Sequence, residues 1–257
     1  QPRYALAQCS ILFSATLSPA RFYQDVLGLP DSTVPVETHS PYTQQQLTLH
    51  INHSISTRFK ARQRSLRAVC ELIQWQYNGQ AGRYLVFVSS FAYLDQISSD
   101  FARRFPDVPI WTQHRRMSPS ARLEFLDKFK RHDKGIGFAV LGGVFAEAID
   151  LPGDQLIGAF VLTLGLPQTN PLNHAFQQRM EEAFGHGYAY TYLYPGLQNV
   201  IQAVGRVLRS PDDKGVAYLL DARSRTPDIQ QLLPAWWFGG EATNARLKNS
   251  ASGMGIH

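Results

Sequence analysis

The sequence predicts an α/β fold on a mainly parallel sheet, because apolar runs of strand length alternate with helical patterns along most of its 257 residues. Several runs are continuous rather than alternating, as strands covered by helices on both faces should be. A hydrophobic share of 44% against 18% charged gives material for a full core and excludes a disordered chain. Seven strands are expected, at Ser10–Phe13, Leu47–Ile51, Tyr84–Val88, Val108–Trp111, Ile136–Leu141, Ile157–Leu162 and Val216–Leu220.

Between them, Leu66, Val69, Cys70, Ile73 and Tyr77 recur at helical spacing, as do Leu94, Ile97 and Phe101, and then Leu123, Leu126 and Phe129. Each set predicts an amphipathic helix. The third has a start signal in Ser118-Pro119, a capping hydroxyl followed by proline at the first helical position. Ser18-Pro19 offers the same signal for a helix near the N-terminus. The stretch from Gly28 to Ser40 is rich in Pro, Ser and Thr and reads as a linker. The end from Asn244 is small and polar, which predicts a mobile tail.

Twenty-five Lys and Arg against 20 Asp and Glu leave a net charge of +5, which favours an anionic partner. The two cysteines, Cys9 and Cys70, cannot form a disulfide framework, a four-cysteine zinc site or a self-contained iron-sulfur site. A reducing cytoplasm or nucleoid is the simplest setting. No membrane span or leader is expected. The first residue is Gln and the first methionine is Met117, so the chain is expected to be a piece of a longer protein. His114, His174 and His186 lack metal-ligand spacing, and no metal site is expected.

Gln202, Arg206 and Arg209 carry the most chemistry. In a helix at about 100° per residue they share one narrow arc, with Leu197, Val200, Ile201, Val204, Val207 and Leu208 opposite. One reading is a solvated face, with Arg209 paired to Asp213 four residues on. The other is a phosphate clamp, because the fixed fork of arginine donors suits phosphate and the charge that builds during phosphoryl transfer. A second basic stretch, Arg58, Lys60, Arg62, Arg64 and Arg67, reads either as a solvated first helical turn or as a contact to a phosphate backbone. Trp111, Trp236 and Trp237 are read as core or lid packing, with base stacking as the alternative.

Gln202-x-x-x-Arg206-x-x-Arg209, followed by Asp213-x-Gly215 and Asp221-x-Arg223, resembles motif VI and its continuation in superfamily 2 helicases of the XPD/DinG family. Three earlier blocks stand in the family's order. Ser14-Ala15-Thr16-Leu17 resembles motif III, Leu85-Val86-Phe87-Val88-Ser89-Ser90 resembles motif IV, and Gly143-Val144-Phe145-Ala146-Glu147-Ala148-Ile149-Asp150 resembles motif V. Ala148 stands where the family usually has Gly.

The resemblance implies a RecA-like fold with helices on both faces of the sheet. Residues 1–27 would end a first motor lobe, residues 28–243 would form the second lobe, and residues 244–257 the tail. Arg206 and Arg209 would be arginine fingers reaching the γ-phosphate of ATP, and Gln202 would position the nucleotide or the attacking water. Gly143, Glu147 and Asp150 would couple the nucleotide cleft to the nucleic-acid groove, and Ser14 and Thr16 would relay between hydrolysis and strand movement. Ser89, Ser90 and Gln113 would bond strand phosphates without reading bases, joined by Arg115 and Arg116.

The same resemblance implies ATP-driven 5′ to 3′ unwinding by the full-length enzyme. Its partners would be single-stranded or forked DNA and the N-terminal motor lobe of the same protein, in the cytoplasm at the nucleoid. No lysine here follows Gly and precedes Ser or Thr, and no Asp-Glu dipeptide occurs. ATP and Mg²⁺ would therefore be held mainly by the first lobe, as would any iron-sulfur cluster, and this chain is expected not to hydrolyse ATP alone. The missing Walker elements also leave open a non-catalytic RecA-like module that binds nucleic acid or protein. An unrelated α/β enzyme is the third reading.

Overall fold

A computed structural model describes residues 4–52, 55–143, 145, 151 and 153–238. Six strands form one sheet: β1 Leu47–Ile51, β2 Arg83–Val88, β3 Ile110–Thr112, β4 Gly135–Val140, β5 Gly158–Val161 and β6 Gly215–Leu219. Their order is β1-β6-β5-β2-β4-β3, and every pairing is parallel. Parallel neighbours need long crossovers, and helices supply them. Between strands lie α2 Arg62–Gly79, α3 Phe91–Arg104, α4 Pro119–Arg131, α5 Pro171–Phe184 and α6 Tyr194–Val204, with a π-helical turn at Ala189–Leu193 leading into α6; α1 Ala20–Leu27 precedes the sheet and the short α7 Pro227–Gln230 follows it.

Central β2 is buried at all six positions, so it reads as a continuous apolar run after Arg83. Alternation still divides it: Tyr84, Val86 and Val88 join one core with the α2 stripe Leu66, Val69, Cys70, Ile73 and Tyr77 and the α3 stripe Leu94, Ile97 and Phe101. Both helical stripes match the sequence expectation. In α4 the expected stripe is corrected, because Leu123 is exposed while Phe125 and Phe129 are buried. Aromatic contacts set that register, with Phe129 4.9 Å from Trp111 and Phe125 4.4 Å from Phe145. Gly137 on β4 admits Phe129, since a Cβ there would come within 2.5 Å of its ring. Ser118 caps α4 by accepting from Ala121 N, as its sequence predicts.

One charge is built into this core. The Arg83 side chain is 8% exposed and donates to the backbone oxygens of Phe129, His132 and Asp154, each at 3.0 Å. Two of those acceptors terminate α4, where cationic donors satisfy carbonyls that have no partner inside the helix. Trp111 and Trp237 are buried as core packing.

The chain divides into two compact units. The larger consists of Ser40–Gly165 and the segment beginning at Asn199, and contains the sheet. The smaller consists of the segment ending at His39 and Leu166–Gln198. Its core is aromatic, with Phe22 edge-on to Tyr190 at 5.0 Å and to Tyr194 at 5.4 Å. The Tyr190 hydroxyl donates to Asp25 at 2.6 Å.

Two expectations for the N-terminal segment fail. Ser10–Phe13 is not a strand: no described strand pairs with it, and Ile11 and Phe13 are 82% and 90% exposed. An apolar run becomes a strand only where a neighbour offers a ladder. Ser18 does not cap α1, because Pro19 itself holds the cap position and makes no side-chain bond.

Candidate functional site

Because all six strands run the same way, the loops that follow them emerge at one edge of the sheet, where open α/β sheets bind their ligands. Motif IV reaches that edge at the end of β2. Ser90 caps α3, its hydroxyl accepting from Tyr93 N at 3.3 Å. The Ser89 hydroxyl accepts from the Arg62 guanidinium at 2.6 Å. Arg62 also donates through Nε to Thr57 O at 2.9 Å and lies over the Tyr93 ring at 4.7 Å. Burial lowers its pKa; Tyr93 acts against that shift and Arg223 adds to it. Arg62 thus points inward and fixes Ser89, rather than lining an open basic face.

The rest of the basic stretch separates in the same way. Arg67 pairs with Glu71 at 2.7 Å on the surface of α2. Arg58, Lys60 and Arg64 are exposed and make no ion pair among the described residues.

Gln113, at the end of β3, is buried, and its amide serves the sheet. Its N–H donates to Phe138 O at 2.9 Å and its side-chain Oε1 accepts from Val140 N at 2.7 Å. The side-chain oxygen thus continues the β3–β4 ladder where the strand has run out, while a phosphate would be met by the Nε2 amide. Arg115 and Arg116 follow and are exposed, with Arg115 over the Phe91 ring at 5.1 Å.

Motif V begins in the turn after β4. Gly142 adopts φ +72°, a left-handed conformation that glycine tolerates. A Cβ on it would lie 3.1 Å from the Asn199 Nδ2 of α6. Gly143 closes the turn with N–H to Val140 O at 3.2 Å. Glu147 and Asp150 lie outside the described residues.

Motif VI departs from the expected continuous helix. Gln202 lies in the last turn of α6, which ends at Val204, so Arg206 and Arg209 follow in the connecting turn and do not share a helical face with it. Gly205, a poor helix former, occupies the break. Asp213 then draws the backbone away, accepting from Arg209 N at 2.6 Å and Ser210 N at 2.8 Å. The expected link between Arg209 and Asp213 exists, but through the arginine's main-chain N–H.

Beyond β6, Asp221 is buried and accepts from the Thr57 hydroxyl and from Arg223 Nε and Nη2, both at 2.8 Å. Burial works to raise its pKa, but the bonds from Arg223 and Thr57 outweigh that and hold the carboxyl below its ordinary value. In the smaller unit, Ser14 and Thr16 form a local hydroxyl turn, with Thr16 N donating to Ser14 Oγ at 3.3 Å. Gln198 of α6 donates to Thr16 O at 3.2 Å.

Sequence reasoning missed Gln198 and Asn199, which stand four and three residues before Gln202 and so one helical turn earlier on α6. It also missed Thr57 and Tyr93, whose roles appear only in three dimensions. Among the described residues no three His, Cys, Asp or Glu gather as a metal site, and no helix is long and apolar enough to cross a membrane.

The family profile for the helicase C-terminal domain matches residues 73–239. This chain belongs to the helicase C-terminal domain family. Within that family, it is 35% identical over 83 residues to an ATP-dependent DNA helicase DinG of Photobacterium profundum, 32% of this chain and 12% of that protein. It is 32% identical over 139 residues to the XPD helicase subunit of general transcription and DNA repair factor IIH from Arabidopsis thaliana, 51% of this chain and 18% of that protein. A 3′-5′ exonuclease DinG of Bacillus subtilis is 22% identical over 237 residues, 89% of this chain and 25% of that protein. The chain therefore spans a quarter or less of these relatives. A solved XPD helicase structure superposes with a TM-score of 0.69 at 18% identity, covering 85% of this chain and 40% of that one, and shares the fold.

Proposed function

We propose that this helicase C-terminal domain is the second motor lobe of an ATP-dependent 5′ to 3′ DNA helicase of the XPD/DinG type. In this reading it supplies Arg206 and Arg209 to ATP and part of a single-strand groove, and does not hydrolyse ATP alone. The observation that carries it is the close approach of the motif V turn to α6: a Cβ on Gly142 would lie 3.1 Å from Asn199 Nδ2, one helical turn before Gln202, although 57 positions separate them in the chain.

The residues fit one end of a nucleotide. Guanidiniums on a turn suit a terminal phosphate and its developing charge. No Walker lysine or Asp-Glu pair occurs in the sequence to hold the remaining phosphates and Mg²⁺. ATP would supply the phosphoryl transfer that drives movement, while Arg206 and Arg209 stabilise charge at the terminal phosphate and Gln202 orients its surroundings. Glu147 and Asp150 would couple this end of the lobe to the nucleic acid, with Ser14 and Thr16 relaying from motif III. Ser89, Ser90, Gln113 through its Nε2 amide, Arg58, Arg115 and Arg116 would face the strand. Arg62 would act on it through Ser89. The first motor lobe and single-stranded or forked DNA are the partners, and the setting is the nucleoid in the cytoplasm.

The test is Arg206→Ala in the full-length protein. ATP turnover should fall about a thousandfold or more, the scale of an arginine finger, with single-strand binding largely kept. Hydrolysis near the wild-type rate would refute the role of Arg206.

A further inference from the structure

Phe59 is 84% exposed, and its neighbours explain what it would meet. It lies in the turn before α2, between Arg58 and Lys60, both exposed. The sequence holds no acid between Arg58 and Cys70, so a strongly positive segment surrounds one open aromatic ring.

The ring is braced from within. The Arg62 guanidinium lies 5.6 Å from the Phe59 centroid and 4.7 Å from that of buried Tyr93, so one cation braces both rings. Arg62 is itself anchored to Thr57 O and Ser89 Oγ, which ties this brace to the motif IV turn. Cation–π contact favours a fixed ring, and a fixed ring loses less freedom when something stacks on it.

We infer that Phe59 is a base-stacking platform for single-stranded DNA, with Arg58 and Lys60 holding the phosphates on either side. A base would stack on the exposed Phe59 ring. An exposed aromatic flanked by cations is the arrangement that binds single strands without reading sequence, because every base offers a π-face. A protein surface or a lipid would leave the flanking cations without the regular anions that a strand supplies. The inference rests on the nucleic-acid part of the proposed function.

The experiment is fluorescence anisotropy of a labelled single-stranded oligonucleotide with this chain, repeated with an otherwise identical strand carrying abasic sites, across a salt series. Phe59→Ala should weaken binding of the normal strand about tenfold or more. It should leave the salt slope unchanged and bind the abasic strand as the wild type does. Phe59→Tyr should restore affinity, while Arg58→Ala with Lys60→Ala should lower the slope by about 1.4, for two contacts at about 0.7 each. Melting temperatures within about 2 °C of wild type would show that these exposed positions leave the fold intact. Equal affinity of Phe59→Ala and wild type for the normal strand would overturn the inference, as would an equal loss on normal and abasic strands. If wild type shows no salt-dependent binding, the nucleic-acid reading itself falls and takes the stacking site with it.

Discussion

Arg83→Ala should destabilise the chain by about 3–4 kcal/mol, and the structure sets that figure. The Phe129 carbonyl is buried with its donor, so losing the guanidinium costs about 1–3 kcal/mol for an unsatisfied acceptor. The carbonyls of His132 and Asp154 lie nearer the surface and can turn to water, at about 0.5 kcal/mol each. Lost packing of the buried aliphatic stem adds the remainder. The ion pair with Asp154 contributes little, because that carboxylate is 87% exposed; Asp154→Ala should cost less than about 1 kcal/mol. Urea titration followed by circular dichroism reads both variants, and the melting temperature of Arg83→Ala should drop by about 6–16 °C. A loss below about 1 kcal/mol for Arg83→Ala, or an Asp154→Ala as damaging as it, would refute the backbone-anchoring argument.

Asp221 should make stability fall with acid. Its folded pKa lies below the unfolded value of about 3.9, so its contribution is fully present above that pH and is lost as pH falls through the folded pKa. Asp221→Asn should lower stability by about 2–3 kcal/mol at neutral pH and flatten the acid limb of a urea-midpoint titration; an unchanged limb would argue against it. Gly142→Ala should cost about 1–2 kcal/mol from its left-handed backbone. Adding Asn199→Ala should relieve only the contact component, which a double-mutant cycle separates.

Much of the sheet was legible because burial on both faces writes itself into sequence as apolar runs. Leu47–Ile51 matches β1 residue for residue, and five further expected strands overlap observed ones. Strand order was not legible, since parallel neighbours are chosen by crossovers rather than by local pattern. Ser10–Phe13 misled because an apolar run records a tendency to be covered and says nothing about a hydrogen-bonding neighbour. Helix α5 escaped notice because none of its residues is fully buried, which leaves no apolar period to read. At the site, the motif glycines and arginines stood out, yet the shared face of Gln202, Arg206 and Arg209 did not survive the helix end at Val204. Local rules failed there because Asp213, four residues beyond Arg209, decides where the main-chain donors go. Gln113 looked like a free amide because nothing local says that β3 stops at Thr112.

The bond from Val140 N to the Gln113 side chain has a mechanical meaning. Main-chain rungs part only when two strands move apart, whereas a rung lent by a side chain is released by rotation about its χ angles. The sheet therefore ends on a latch at the point where the chain turns into Gly142 and Gly143. Opening it frees one amide and leaves the β3–β4 pairs from Ile110 to Thr112 closed. The turn itself stays tied to the central strand, because Leu141 N donates to Val88 O at 2.8 Å.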